Sequence, residues 1–298
     1  MLDTRAVEVR GLTKRYGSVT AIEDLSFSVP VGSVTGFLGP NGAGKTTTMR
    51  VLLGLAAPTR GEALVLDRTY STLREPLRHV GASLEVTGFH PGRTARNHLR
   101  VVVVGARISR TRVDDVLALT GMTAYADRRV GGYSAGMRQR LALAAALLGD
   151  PEVLVLDEPA NGLDPAGVAW LRGFLRRFAD EGKAVLISSH ILAEVAEVAD
   201  RVVVLDRGHL ITEGPVEALT AAGAVVVVRS PDGARLMAAV RAAGGSVVEQ
   251  DGAFEVSGFP IEQVGELAAA HGVTLHELRT RASTLEDVFL SLTRGGDA

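Results

Sequence analysis

The sequence predicts an α/β chain: a mainly parallel sheet covered by helices and fronted by an antiparallel β flap, followed by a small ferredoxin-like α+β domain. Three observations carry this. Apolar Val, Ile and Leu runs alternate with helical patterns through about residue 220, as in parallel sheets buried on both faces. A glycine-rich segment lies directly between one such run and a helical pattern, at residues 39–46. Beyond Ala221-Ala222-Gly223 the elements follow a βαββαβ order. At 298 residues the chain has room for one large core and one smaller one. The expected domains are residues 1–220 and 224–298, with residues 221–223 as linker.

The elements follow in order. Val7 to Val9 and Leu25 to Val29 alternate apolar and polar residues, as strands with one solvated face do, and form the flap. Val34 to Leu38, Val80 to Leu84, Val153 to Leu156, Ala184 to Ser188 and Val202 to Leu205 are near-continuous apolar runs bounded by Gly, Pro or charge, suited to central strands. The Ala/Leu-rich stretch from Ser134 to Leu148 reads as a helix. In the second domain Ala224 to Arg229, Ser246 to Glu249, Phe254 to Val256 and Thr274 to Arg279 read as strands. Gly233 to Ala243, Ile261 to His271 and Leu285 to Leu292 read as helices, the last opened by a Ser283-x-x-Glu286 capping box.

Composition excludes several classes of function. With 46% hydrophobic and 4% aromatic residues the core is made of Ala, Val and Leu. A net charge of −2 gives no general attraction to nucleic acid, and none is expected as a partner. Zero cysteines exclude disulfides, Cys-ligated zinc and thiol catalysis, and the seven histidines are scattered without metal-ligand spacing. The longest apolar stretches, Val101 to Val104 and Leu141 to Leu148, fall well short of the roughly 18–20 residues that span a bilayer. Asp3, Arg5, Glu8 and Arg10 interrupt any secretory leader, so a cytoplasmic chain is expected.

Gly39-Pro40-Asn41-Gly42-Ala43-Gly44-Lys45-Thr46 satisfies the phosphate-loop pattern at every fixed position, between a strand and a helix. Glycines let successive N–H groups point into one concavity, and the helix adds its positive end. Lys45 supplies a charge for the β- and γ-phosphates, and the Thr46 hydroxyl suits the oxygen-preferring Mg²⁺; Thr47 is counted with them among the nucleotide-binding residues. Val153-Leu154-Val155-Leu156-Asp157-Glu158 supplies the second element: a buried strand from whose end Asp157 reaches the Mg²⁺ shell, with Glu158 as candidate catalytic base orienting the attacking water.

Between the two stands Tyr133-Ser134-Ala135-Gly136-Met137-Arg138-Gln139-Arg140, which is similar to the signature of the ATP-binding subunits of the ABC family. The resemblance covers about residues 5–220 and implies several roles. Ser134 and Gly136, at a helix start, would meet the γ-phosphate of ATP held by the opposite subunit, so that a homodimer sandwiches two ATP molecules. Tyr16 aligns with the aromatic that stacks on adenine, Asp164 with the inter-subunit loop Asn161-Gly162-Leu163-Asp164, and His190 with the histidine that senses the γ-phosphate. Glu85 stands where the family commonly has a glutamine that coordinates Mg²⁺.

The family's partner is an integral membrane permease, contacted through the segment from Val86 to about Ala106, where Phe89, His90 and Pro91 are candidates for exposure. A subunit of this kind is peripheral on the inner face of the cell membrane. Ala135 replaces a usual glycine, restricting positive φ. Tyr133 and Met137 replace the usual Leu and Gln, and with the tail Leu285-Glu286-Asp287-Val288-Phe289-Leu290 they resemble a bacterial branch that exports antibiotics and drugs. Other readings within reach are an ABC-type ATPase acting on chromosomes, a ribosome-associated ABC protein, and a regulatory module that closes on ATP without turnover. The short distance from Glu85 to Ser134, the single phosphate loop, and the pair Glu158 and His190 count against these in turn.

Overall fold

A computed structural model of the chain describes residues 5–84, 88–250 and 252–294. Its backbone contacts divide between Gly214 and Pro215. Residues 216–222, which the sequence reading left with the first domain and its linker, thus go with the second unit.

The first unit opens with two twelve-residue strands, β1 (Arg5–Tyr16) and β2 (Val19–Pro30), paired antiparallel. Strict alternation fails between Val9 and Leu12, where the register shifts at a bulge around Gly11, φ +54°. Next come β3 (Val34–Leu38), α1 (Lys45–Leu52), β4 (Arg60–Val65) and β5 (Val80–Ser83). A helical region follows: α2 (Ala95–Ala106), α3 (Arg112–Leu119) and α4 (Ala135–Ala146). Their apolar faces meet through Leu99, Val103, Val116, Leu117 and Leu141, all buried. Then come β6 (Val153–Leu156), α5 (Pro165–Asp180), β7 (Ala184–Ser189), α6 (Leu192–Ala196), β8 (Arg201–Asp206) and β9 (His209–Pro215).

The strands form two sheets. The flap is β2-β1-β4, and the main sheet runs β5-β6-β7-β3-β8-β9. In the main sheet β5, β6, β7, β3 and β8 are parallel, as their all-apolar runs foretell. Every residue of β3 and β6 is buried, which is what helices on one face and the flap on the other impose. Phe37 of β3 meets Phe27 of the flap with ring centroids 5.0 Å apart, joining the two sheets. Strands β4 and β9 were not expected: β4 carries Arg60, Gly61 and Glu62 before its apolar residues, and β9 is mostly half-exposed, so neither shows a clear apolar period.

Functional geometry follows from the strand order. The glycine-rich loop leaves β3, Asp157 leaves β6, and β7 lies hydrogen-bonded between them. All three strands point the same way, so their carboxyl ends share one edge, where open α/β sheets bind ligands.

The second unit begins with α7 (Val216–Ala222), then β10 (Val225–Arg229), α8 (Gly233–Ala242), β11 (Ser246–Gln250), β12 (Ala253–Ser257), α9 (Ile261–Ala270), β13 (Glu277–Arg281) and α10 (Leu285–Arg294). The sheet order β11-β12-β10-β13, antiparallel throughout, is the ferredoxin-like arrangement expected from the βαββαβ pattern. Val226, Val228, Val256, Leu236, Val240 and Val264 fill its core.

Two details differ from the sequence reading. The last strand starts at Glu277, not Thr274, because pairing with β10 begins at Arg229 opposite Glu277, and the preceding His276 N–H closes on the Arg229 carbonyl at 2.8 Å. The capping box lies one residue later than expected. Thr284 and Asp287 make the reciprocal bonds, Thr284 N–H to Asp287 Oδ2 at 3.0 Å and Asp287 N–H to Thr284 Oγ1 at 3.1 Å. A carboxylate at the third helical position accepts from the cap as well as a glutamate does.

Candidate functional site

The loop after β3 encloses a cavity of about 210 Å³, lined by Ala21, the residues from Pro40 to Thr47, Asp157 and Glu158. Its shape depends on glycine at Gly44, the N-cap of α1, where φ is +103° and an added Cβ would lie 2.8 Å from the Ala21 carbonyl oxygen. The flap therefore approaches the loop closely here, through the Ala21 carbonyl and the Ile22 side chain. The unpaired N–H groups at the start of α1 face the cavity, giving an anion site at a helix N-terminus.

Lys45 is 7% exposed and folds back over the loop, donating to the carbonyls of Gly39 at 2.6 Å and Pro40 at 3.2 Å. Burial pushes its amine below the usual lysine range, and the charges of Glu158 and Asp157 oppose that shift. Its Nζ stands 4.0 Å from Glu158 Oε1. Thr46 Oγ1 donates to Asp157 Oδ2 at 2.7 Å. The other Asp157 oxygen accepts from the Ser188 hydroxyl, which in turn accepts the Glu158 N–H at 2.9 Å. Glu158 takes a left-handed backbone, φ +50°, and its Oε2 lies 2.9 Å from His190 Nδ1. The structure thus assembles Gly39 through Thr47, Asp157, Glu158 and His190 in one place.

Other residues singled out in the sequence lie elsewhere in the chain. Tyr16 ends β1, 48% exposed, with Lys14 Nζ 4.6 Å above its ring, and is not among the residues lining the cavity. Ser134 is the exposed N-cap of α4, accepting the Met137 N–H at 3.2 Å. Gly136 packs against the inter-subunit loop: a Cβ there would lie 3.2 Å from the Gly162 carbonyl oxygen. Asp164 caps α5, accepting the Gly167 N–H at 2.8 Å, with Pro165 at the first helical position. None of these three lines the cavity.

Ala135, which replaces a glycine, is the first residue of α4 and has no positive φ, so its methyl group strains nothing. Gly162, left-handed at φ +78°, makes room for it. Glu85 lies outside the described residues, as do Val86 and Thr87. His90 and Pro91 are exposed, whereas Phe89 is half-buried with its ring 4.9 Å from that of His98.

Sequence reasoning missed two participants. Ala21 lines the cavity from the flap, and nothing local marks it. Ser188 was read only as the end of a strand; the available signal was a hydroxyl in an otherwise apolar run two residues before His190.

The chain resembles known proteins over most of its length. A family profile described as ABC transporter matches residues 22–161. The chain is 32% identical over 305 residues to the bacitracin transport ATP-binding protein BcrA of Enterococcus faecalis, covering 99% of each. It is 38% identical to the Nod factor export ATP-binding protein I of Burkholderia orbicola, covering 96% of each. The chain belongs to the ABC transporter family. A solved ATP-binding subunit of an ABC transporter superposes with a TM-score of 0.66 at 27% identity, covering 72% of this chain and 92% of that one. Residues 216–286 match a profile described only as a domain of unknown function.

As an ABC ATP-binding subunit the chain is an ATPase that powers transport through a separate membrane permease. Among the described residues no helix is long and apolar enough to cross a membrane. ABC subunits of this kind pair with one another as well as with permeases.

Proposed function

We propose that this ABC subunit drives export of an antibiotic, drug or lipid-like amphipathic compound, hydrolysing MgATP at two sites shared between two copies of the chain on the inner face of the membrane. The observation that carries the chemistry is Glu158, set at the cavity mouth between His190 and Lys45. The loop N–H groups and Lys45 bind the phosphates and neutralise the charge that grows on the transferred group. Glu158 orients the attacking water and accepts its proton, and His190 Nδ1 fixes the carboxylate that does so.

Thr46 and Asp157 fit Mg²⁺: one hydroxyl and one carboxylate, 2.7 Å apart at the cavity edge, are hard oxygen donors for an ion that keeps several waters and takes phosphate oxygens besides. Bound there, the ion supplies charge neutralisation at the β- and γ-phosphates. Glu85 is a further candidate for its shell. Tyr16, on the same β1–β2 flap as the cavity-lining Ala21, is our candidate to stack on the adenine ring.

Ser134 and Gly136 complete the site of a second copy. The Ser134 hydroxyl uses a lone pair on Met137 N–H and so keeps its proton for a phosphate oxygen, at the positive end of α4. Asp164, capping α5 on the loop that Gly136 touches, belongs to the same face. For the permease we assign the open cleft of about 790 Å³ beside α2, where Arg93, Arg100 and Arg129 surround exposed Val101 and Val104.

Export of an antibiotic-like compound rests on relatives named for bacitracin and Nod factor transport. It is tested by expressing the chain with the membrane proteins encoded beside it in a sensitive host. The expected result is raised resistance to membrane-active peptide antibiotics, lost when Lys45→Ala replaces the wild type. Equal resistance with both would remove the export reading.

A further inference from the structure

We infer that Ser188 is a positioning residue for hydrolysis, a hydroxyl that locks Asp157 and Glu158 into one relation to each other; the inference rests on Glu158 acting as the base. Ser188 is fully buried at the carboxyl end of β7, the strand inserted between the one that carries the phosphate loop and the one that carries the acidic pair. Its single oxygen does two things. It donates to Asp157 Oδ1, and it accepts the Glu158 N–H at 2.9 Å.

Both bonds constrain groups that otherwise turn freely. Asp157 has a hydroxyl on each oxygen, Thr46 on Oδ2 and Ser188 on Oδ1, so its plane is fixed and its remaining lone pairs face the cavity. Glu158 sits in a left-handed backbone, φ +50°, a conformation uncommon for a residue with a side chain. Ser188 holds its N–H, and His190, two residues further along the same strand end, holds its carboxylate at 2.9 Å. One strand terminus therefore grips Glu158 at both ends. An alanine at position 188 removes the hydroxyl partner of the part-buried Glu158 N–H and one of the two hydroxyls that hold Asp157, at almost no change in volume.

Ser188 is fully buried and does not line the phosphate-loop cavity, so its loss acts on turnover through Glu158 rather than on nucleotide affinity. The test uses the full-length chain in MgATP and compares wild type, Ser188→Ala, Ser188→Thr and Glu158→Gln. Hydrolysis rates, affinity for a fluorescent ATP analogue, the thermal midpoint and the fraction of ATP-bound dimer are read together. For Ser188→Ala we expect kcat to fall about 10- to 100-fold with analogue affinity within about threefold of wild type. ATP-bound dimer should accumulate as in Glu158→Gln, and the thermal midpoint should fall by no more than a few degrees, as expected for two lost hydrogen bonds. Ser188→Thr, which keeps the hydroxyl, should turn over faster than Ser188→Ala.

Wild-type kcat in Ser188→Ala beside an inactive Glu158→Gln would overturn the inference and leave Glu158 as the base. So would a loss of binding and thermal stability in proportion to the loss of rate, since that marks a packing role. Full activity in Glu158→Gln would remove the base itself, and the role of Ser188 with it.

Discussion

Glu158→Gln is expected to lower ATP hydrolysis by at least about 100-fold while ATP binding persists, so that a stable ATP-bound dimer accumulates. Glutamine keeps the volume and one oxygen, and the amide still reaches His190 Nδ1. What it loses is the charge and basicity that polarise the attacking water. The phosphate loop, Lys45, Thr46 and Asp157 are untouched, and these are the groups that bind. The left-handed backbone at position 158 survives too, because its N–H bond to Ser188 does not involve the side chain. Rate and affinity should therefore separate, and measured turnover beside equilibrium ATP binding checks this. Parallel loss of both would mean that Glu158 shapes the loop rather than acting on water.

Lys45→Ala is expected to fail earlier, at binding. A charge-assisted hydrogen bond is worth about 1.5–3 kcal/mol, or about 10- to 150-fold in affinity, and hydrolysis should fall further because the same charge opposes what builds up on the transferred phosphoryl group. The resting contacts of Lys45 explain why its position is so defined. It is nearly buried, bonded to the Gly39 and Pro40 carbonyls, and attracted by Glu158 and Asp157 although burial pushes its amine toward neutrality. Nucleotide phosphates offer a stronger partner than those carbonyls. Titration with ATP by calorimetry measures the effect; wild-type affinity would show that the N-terminal end of α1 binds phosphate without help from the side chain.

Much of this was legible because the motifs are local. The phosphate loop needs glycines, a lysine and a hydroxyl in one short stretch between a strand and a helix, and all-apolar runs such as Val153 to Leu156 exist only where both sheet faces are covered. The start of α4 at Ser134 was legible for the same reason. What the sequence withheld was lateral order. Nothing in the run Ala184 to Ser189 says that this strand slots between β6 and β3, yet that position alone turns Ser188 from a strand end into a partner of Asp157 and Glu158. Strands β4 and β9 were hidden because β4 begins with Arg60, Gly61 and Glu62 and β9 is mostly half-exposed, so neither carries an alternation long enough to read. The terminal cap was missed by one residue because Ser283 and Thr284 are chemically alike and only the helix phase distinguishes them.

In the proposed dimer each hydrolytic site takes its phosphate loop from one copy and its Ser134 from another. This sharing is tested most directly by mixing two inactive variants, Lys45→Ala and Ser134→Arg. Ser134 is exposed, so the bulk of arginine there obstructs the opposing phosphate, and the lost cap to Met137 N–H costs only about 1 kcal/mol of stability. In a mixed dimer one site joins the intact phosphate loop of the Ser134→Arg copy to the intact signature of the Lys45→Ala copy. The mixture should regain ATP hydrolysis well above the sum of the two variants alone; hydrolysis that stays at that sum at every mixing ratio would rule out a shared site.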